Sequence, residues 1–479
     1  TDAEFEELLQ FLEEARLDRV GCFTNSPVDG ARANELDGAV PGAVREERWH
    51  RFMQTQARIS AERLRARIGT TQQVLIDQVD ESGAIARSAA DAPDIDGIVR
   101  IVDGQELVPG QFADAVIEDA DEYDQVPRLA GYAFSHAAME AISQVIVRNR
   151  QQLDDGPLLL VDMPADGLAS RLSDAGRAVR GSNQDRGVFR TLSANGIATS
   201  FEPVPRAERH EKQVILRLPR EKERFALVLH ALAASMNANA RLWVVGEKRS
   251  GINSAPRLLE QRFSSIEKLD SARHCCLFEA SSPRKCTPFH LDDYATSLQV
   301  ETGFGRLKLC SLPGVFAHRR VDEGTALLLD TLKDCAIEGD VLDFACGSGI
   351  VGISLLAAPS RPRLTLLDSS ALALEATQRS LALNARTAQL LASNGLSELD
   401  GAFDWIVSNP PFHRGVDNDL DIAADFFKRA GTFLKTDGKI GVVFNRHLPY
   451  ERWARDRFRF VHRMAQSRDY TVIKASKPK

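Results

Sequence analysis

The chain has 479 residues, 43% hydrophobic and 27% charged, with a formal net charge of −7. That length accommodates three or four domains, each with its own core. No apolar run approaches the roughly 20 residues that cross a bilayer, no signal peptide is visible, and the seven cysteines (Cys22, Cys275, Cys276, Cys286, Cys310, Cys335, Cys346) form no disulfide-like framework, which sets aside membrane and secreted classes in favour of a reducing cytoplasm.

Charge is unevenly spread. Residues 1–124 carry 27 acidic and 12 basic side chains, net −15, while residues 125–479 carry 40 and 48, net +8. Two parts with different partners are expected, and the basic part suits RNA phosphates. The first residue is Thr1, not Met, which leaves room for an upstream part.

In chain order, residues 4–20 place Phe5, Leu8, Leu9 and Leu12 at helical spacing, with acids on the other face. A loop over 25–42 leads to a second helix over 45–67, with Trp49, Phe52, Met53 and Ile59 on its apolar side. Residues 69–124 change character. Short apolar stretches at 74–76, 84–86, 98–102 and 112–117, separated by turn residues, predict a small β-barrel. Its acidity makes it a poor phosphate binder and a better protein-docking module.

Residues 126–297 alternate strands (158–162, 242–246) with helices (137–148, 225–236), an α/β pattern. Met163-Pro164-Ala165-Asp166-Gly167 stands where a cofactor turn belongs but lacks Gly-x-Gly. Lys248 and Arg249 are either phosphate contacts or exposed loop charges. His274, Cys275, Cys276, Cys286 and His290 lack zinc-ligand spacing, so no metal is expected.

The last region carries the chemistry. Val341-Leu342-Asp343-Phe344-Ala345-Cys346-Gly347-Ser348-Gly349 reads as a buried strand running into a glycine turn, with a helix opening at Ile350. Free amides at that helix start favour negative or electron-rich groups, and Asp343 can hold a cationic amino group. A second strand, Leu364-Thr365-Leu366-Leu367-Asp368, ends on an acid suited to ribose hydroxyls. Gly347-x-Gly349-x-x-Gly352 with Asp368 also satisfies the dinucleotide fingerprint, so NAD binding and a ligand-free turn are rivals. Asn409-Pro410-Pro411-Phe412, after the strand 403–408, decides between them. Two prolines fix the chain as it leaves the sheet. Asn409 and the Pro410 carbonyl are then aimed outward to accept from an exocyclic amine, and Phe412 offers a stacking face. The pair of motifs predicts methyl transfer to a planar nitrogen, by positioning and in-line displacement without a covalent enzyme intermediate. Residues 446–479 are strongly basic and interleaved with Trp453, Phe458, Phe460 and Tyr470, which are RNA contacts or core.

On these stretches, together with Pro313-Gly314-Val315-Phe316, Leu366-Leu367-Asp368-Ser369, Ala392-Ser393-Asn394 and more weakly Leu448-Pro449-Tyr450, residues 298–479 resemble class I S-adenosylmethionine-dependent methyltransferases. They look most like the type that methylates guanine N2 in small-subunit ribosomal RNA. That family usually has Gly at the position of Ala345. The resemblance implies S-adenosylmethionine held by Asp343, Ala345, Cys346, Gly347, Gly349, Asp368, Ser369 and Asn394. It places the target base against Asn409, Pro410, Pro411 and Phe412, and makes Cys346 a packing residue, not a nucleophile. Asn-Pro-Pro-Phe/Tyr also occurs in enzymes acting on adenine N6 or protein glutamine, so these acceptors stay open. Residues 126–297, through Val245-Gly246-Glu247-Lys248-Arg249-Ser250-Gly251, resemble the same family's degenerate, non-catalytic N-terminal half, which implies RNA docking and support of the catalytic half.

The front is similar to another family. Residues 1–68, through Leu17-Asp18-Arg19-Val20-Gly21-Cys22-Phe23 and Ser26-Pro27-Val28, resemble the end of the radical S-adenosylmethionine domain of the ribosomal protein aspartate methylthiotransferase. Residues 69–124 resemble its TRAM barrel, through Ala92-Pro93-Asp94-Ile95-Asp96-Gly97 and the acidic run 119–124. The family's Cys-x3-Cys-x2-Cys is missing and Cys22 stands alone here, so no iron–sulfur cluster is expected. The partner expected for residues 1–124 is a small-subunit ribosomal protein, or else this front part is a passenger; for the whole chain the further alternative is a non-catalytic ribosome-binding fusion or fragment carrying an inactive methylthiotransferase remnant. The expected fold class is α/β: a doubly wound Rossmann-like methyltransferase domain (298–479), preceded by a degenerate α/β methyltransferase-like domain (126–297), a small TRAM-like β-barrel (69–125) and a truncated radical-domain remnant (1–68).

Overall fold

A computed structural model describes residues 1–18, 20–24, 40–80, 83–89, 91, 99–101, 107–120, 125–129, 139–410 and 417–479. Pro411, Phe412, most of the expected 25–42 loop and the TRAM-like stretches 92–97 and 121–124 lie outside the described residues. The chain divides into two compact units, Thr1–Met139 and Glu140–Lys479.

In the first unit, α1 (Asp2–Ala15) opens with a capping box in which Thr1 and Glu4 exchange hydrogen bonds. It lays Phe5, Leu9 and Leu12 on Phe52 and Ile59 of α2 (Gly42–Arg65). Strands β1 (Thr71–Asp80), β2 (Gly83–Ser88), β3 (Val99–Ile101), β4 (Phe112–Ala120) and β5 (Gln125–Leu129) close a barrel in the order β1-β2-β3-β5-β4. Alternate residues Val74, Ile76, Ala84, Ala86, Val99, Ile101 and Ala115 fill it, as the period of two requires. The barrel therefore extends past the expected limit at residue 125. Pro127 demotes 125–129 as a strand by local reading, yet it sits in the antiparallel ladder opposite Ile117.

The second unit holds one topology twice. Its first half contains α3 (Ala141–Arg148), β6 (Leu158–Val161), α4 (Leu168–Asp174), β7 (Val179–Asn183), α5 (Arg186–Ala194), β8 (Ala198–Phe201), β9 (Gln213–Arg217), α6 (Lys222–Ser235), β10 (Arg241–Glu247), α7 (Ala255–Leu259), β11 (Phe263–Asp270) and β12 (Cys275–Pro283). A hairpin, β13 (Thr296–Thr302) and β14 (Gly305–Ser311), leads into the second half. There follow α8 (Glu323–Leu332), β15 (Asp340–Phe344), α9 (Ile350–Leu355), β16 (Arg363–Asp368), α10 (Ala371–Leu383), β17 (Gln389–Ala392), β18 (Phe403–Ser408), α11 (Asp417–Arg429), β19 (Leu434–Asn445), α12 (Tyr450–Arg457), β20 (Phe458–Gln466) and β21 (Tyr470–Pro478).

The sheets run β11-β12-β10-β9-β6-β7-β8 and β17-β16-β15-β18-β19-β21-β20. Numbered within its half, each reads 3-2-1-4-5-7-6, parallel except for the last hairpin, which pairs antiparallel to strand five. The usual dinucleotide fold is 3-2-1-4-5-6, so the antiparallel edge separates this chain from the NAD reading. In the second half, Leu328, Leu329 and Leu332 of α8 cover one face of the sheet, and Phe426, Phe427 and Tyr450 cover the other. Of the aromatics in 446–479, Phe458 is core and only Phe460 is exposed.

The halves meet through matching positions. Two residues after β7 stands Asp185, and two after β16 stands Ser370; they form an isolated antiparallel bridge. Arg186 N–H donates to the Ser369 carbonyl, and Ala371 N–H to the Gln184 carbonyl, both at 2.8 Å. Asp185 and Ser370 also cap the helices that follow, α5 and α10.

Candidate active site

The site grows from the end of central strand β15. Ala345 turns the chain with φ 59°, Cys346 N–H donates to the Leu367 carbonyl at 3.0 Å, and Gly349 caps α9 at φ 82°. The matching turn of the first half begins alike, with Asp162 at φ 50°, but runs through Pro164 and not through Gly-x-Gly. Thr377 Oγ1 donates to the Gly347 carbonyl at 2.8 Å and fixes the turn. At Gly352 a Cβ would stand 2.3 Å from Leu366 Cδ2, so only glycine lets α9 approach β16 this closely.

Asp343 is 1% exposed. Its Oδ2 accepts from Gly352 N–H at 2.8 Å. Burial without a neighbouring cation pushes its pKa up to about 7. Asp368 is also raised by burial, and it accepts from Gly347 N–H through Oδ2 and Ser370 N–H through Oδ1, both at 2.9 Å. Cys346 is buried, with its thiol pushed well above the ordinary range by desolvation, and it packs with Ile353 and Leu366. A thiol so held is inert as a nucleophile.

On the neighbouring strand, Ser408 Oγ donates to the Phe344 carbonyl at 2.8 Å, tying the two strand ends together. Asn409 follows. Its Nδ2 donates to Asp322 Oδ2 at 3.1 Å and to Thr325 Oγ1 at 2.8 Å. That leaves Oδ1 buried and without a partner. Both holders come from the start of α8, where Asp322 also caps Thr325 N–H at 3.0 Å.

Asp343, Ala345, Cys346, Gly347 and Asn409 line one cleft with Phe316, Arg320, Asp322 and Thr325. Gly349 does not line the cleft. Asp368, Ser369 and Asn394 do not line the cleft; they stand at the ends of β16 and β17, and Asp368 joins it through Gly347. Pro410 is buried beside Asn409. Asp322 and Thr325 were not foreseen as site residues. Their signal was Asp-x-x-Thr before a Leu-rich run, a helix-start pattern that reads as structural. Among the described residues no His, Cys, Asp and Glu group could hold a metal ion, and no helix is long and apolar enough to cross a membrane.

The Methyltransferase small domain family matches residues 306–474, its N-terminal domain family matches 143–298, and the TRAM domain family matches 68–129. Ribosomal RNA small subunit methyltransferase C of Shewanella halifaxensis (strain HAW-EB4) is 33% identical over 334 residues, covering 69% of this chain and 97% of the relative. The chain belongs to this family. The protein of the same name from Shewanella sp. (strain MR-4) is 35% identical, covering 64% of this chain and 90% of its own length. Among solved structures, the T. thermophilus 16S rRNA guanine-N2 methyltransferase in complex with AdoMet and guanosine superposes with a TM-score of 0.63. It is 23% identical and covers 74% of this chain and 95% of its own, a likeness of fold.

Proposed function

We propose that this member of the family transfers a methyl group from S-adenosylmethionine to the exocyclic N2 amine of a guanine in small-subunit (16S) ribosomal RNA, in the cytoplasm. The observation that carries the reading is the locked amide of Asn409, a residue that lines one cleft with buried Asp343 and whose Oδ1 has no partner. The family membership and the relatives' name support it.

The residues present fit the cofactor. Asp343 is a buried carboxylate lacking a cation, the complement of an amino acid's ammonium group. Asp368 suits ribose hydroxyls, and Ser369 and Asn394 suit the nucleoside end. When bound, the cofactor supplies an electrophilic methyl on a sulfonium. The protein's contribution is placement. Asn409 Oδ1 and the Pro410 carbonyl accept the amine's hydrogens and fix its nitrogen. Asp322 and Thr325 keep the Asn409 amide from turning over, so the cleft presents an acceptor only. Stacking on Phe412 completes the proposal, and the base must leave its stack to enter. For residues 1–124 the proposed role is docking on a small-subunit ribosomal protein, without an iron–sulfur cluster.

The test is methyl transfer from labelled S-adenosylmethionine to unmodified small subunits and to naked ribosomal RNA, followed by nucleoside analysis. Label in N2-methylguanosine is expected. Label in N6-methyladenosine or in protein glutamine would overturn the substrate.

A further inference from the structure

The loop after β7, in the half without a Gly-x-Gly turn, closes on the two loops of the catalytic half that carry Ser369 and Asn394, and one residue joins both, Ser369 through its backbone and the Asn394 loop through its side chain. Arg186 donates its backbone N–H to the Ser369 carbonyl at 2.8 Å. Its guanidinium forks onto Glu398, with Nη2 at 2.8 Å and Nε at 3.1 Å from Oε1 and Nε at 3.2 Å from Oε2. Glu398 belongs to the loop that begins with Ser393 and Asn394, and its own N–H donates to Ser393 Oγ at 3.1 Å. The guanidinium is itself pinned over the rings of Phe189 and Phe201, at 4.9 and 5.4 Å from their centroids. The next residue, Gly187, passes so close to Asn394 that a Cβ there would stand 2.9 Å from Nδ2 and 3.0 Å from Cγ.

We propose that Arg186 is a positioning residue for S-adenosylmethionine. Its side chain, through Glu398, braces the Asn394 loop and so sets one wall of the cofactor's nucleoside end from outside the catalytic half, while its backbone N–H, which any residue but proline would supply, meets Ser369. This rests on the methyltransferase reading above. A planar fork on a carboxylate fixes direction as well as distance, which a lysine ammonium does not. Loops ordered before binding spare the ligand that ordering cost, so the effect falls on affinity and leaves the chemical step alone.

The test measures binding of S-adenosylmethionine and S-adenosylhomocysteine by calorimetry on the full chain, with kinetics on small subunits. Arg186→Ala is expected to raise both Kd values and the cofactor KM about tenfold, with kcat at saturation within about twofold of wild type. Arg186→Lys restores part of the loss. Gly187→Ala leaves Arg186 intact but displaces Asn394, and it raises Kd as well; it carries the test should Arg186→Ala fold poorly. Arg379→Ala breaks a different pair, to Asp292, and keeps the wild-type Kd. Wild-type affinity in both Arg186→Ala and Gly187→Ala, or a loss confined to kcat, overturns the proposal. A wild-type chain that binds neither ligand overturns the methyltransferase reading first.

Discussion

Asn409 is held by its amide nitrogen and left unpartnered at its buried oxygen, and the consequences for single residues follow from that asymmetry. Asn409→Ala removes the acceptor but none of the groups around the cofactor turn. Turnover is expected to fall about 10²- to 10³-fold with cofactor Kd nearly unchanged, measured by single turnover and calorimetry. Asp343 makes a pH prediction. Its folded pKa of about 7 lies above the ordinary 3.8, so between those values the unliganded fold keeps a proton that the unfolded chain releases. The stability that Asp343 contributes to the unliganded protein therefore declines as pH rises from about 4 to about 7 and then levels off. In the role proposed for Asp343 a bound ammonium favours the ionised carboxylate, so cofactor affinity is expected to weaken as pH drops below about 7, approaching tenfold per unit. Melting curves and Kd measured across that range check both slopes, and Asp343→Asn should flatten both. Ala345 holds a left-handed conformation where the resembled family has Gly. Ala345→Gly should stabilise the fold by about 0.5–1 kcal/mol in denaturant titrations, because relief of Cβ strain exceeds the added chain entropy. The residues legible in the sequence were those whose types shape their own backbone: the 343–349 turn and Asn409-Pro410. Asp322, Thr325 and Arg186 were not, because they act on residues 87, 84 and 212 positions away. Sequence spacing says nothing of such encounters.

Among the elements, the glycine turn proposed to hold the cofactor depends on how closely α9 lies on β16. Gly352 sets that distance and donates to Asp343. Gly352→Ala forces Leu366 and the helix apart, so a loss of about 1–3 kcal/mol is expected by thermal or chemical denaturation, with weakened cofactor binding as the Asp343 donor shifts. The strands and helices with strong period or unbroken apolar runs were legible, among them β6, β10, β15, β16 and β18. The β5 strand was not, because a proline inside a short stretch reads as a break unless the ladder around it is known.

The whole molecule divides at residues 139 and 140, and each side owns its core: the barrel interior in front, the paired sheets behind. A chain trimmed to residues 140–479 is therefore expected to fold cooperatively and to keep wild-type cofactor affinity and methyl transfer to naked ribosomal RNA. Calorimetry and the labelled assay check this, and a trimmed chain that fails to bind the cofactor would contradict it. The alternation of strands and helices made both α/β halves legible, but not that they would meet at corresponding loops, since each loop alone reads as an ordinary helix start.

That meeting has a consequence for how the halves diverge. Its central bonds join backbone amides to backbone carbonyls at equivalent positions, and such bonds are indifferent to the side chains that stand there, proline excepted. It is in form an isologous contact, the kind two identical copies make with each other, drawn here within one polypeptide. The half without a Gly-x-Gly turn can therefore differ from its twin at almost every side chain of this contact and still hold it.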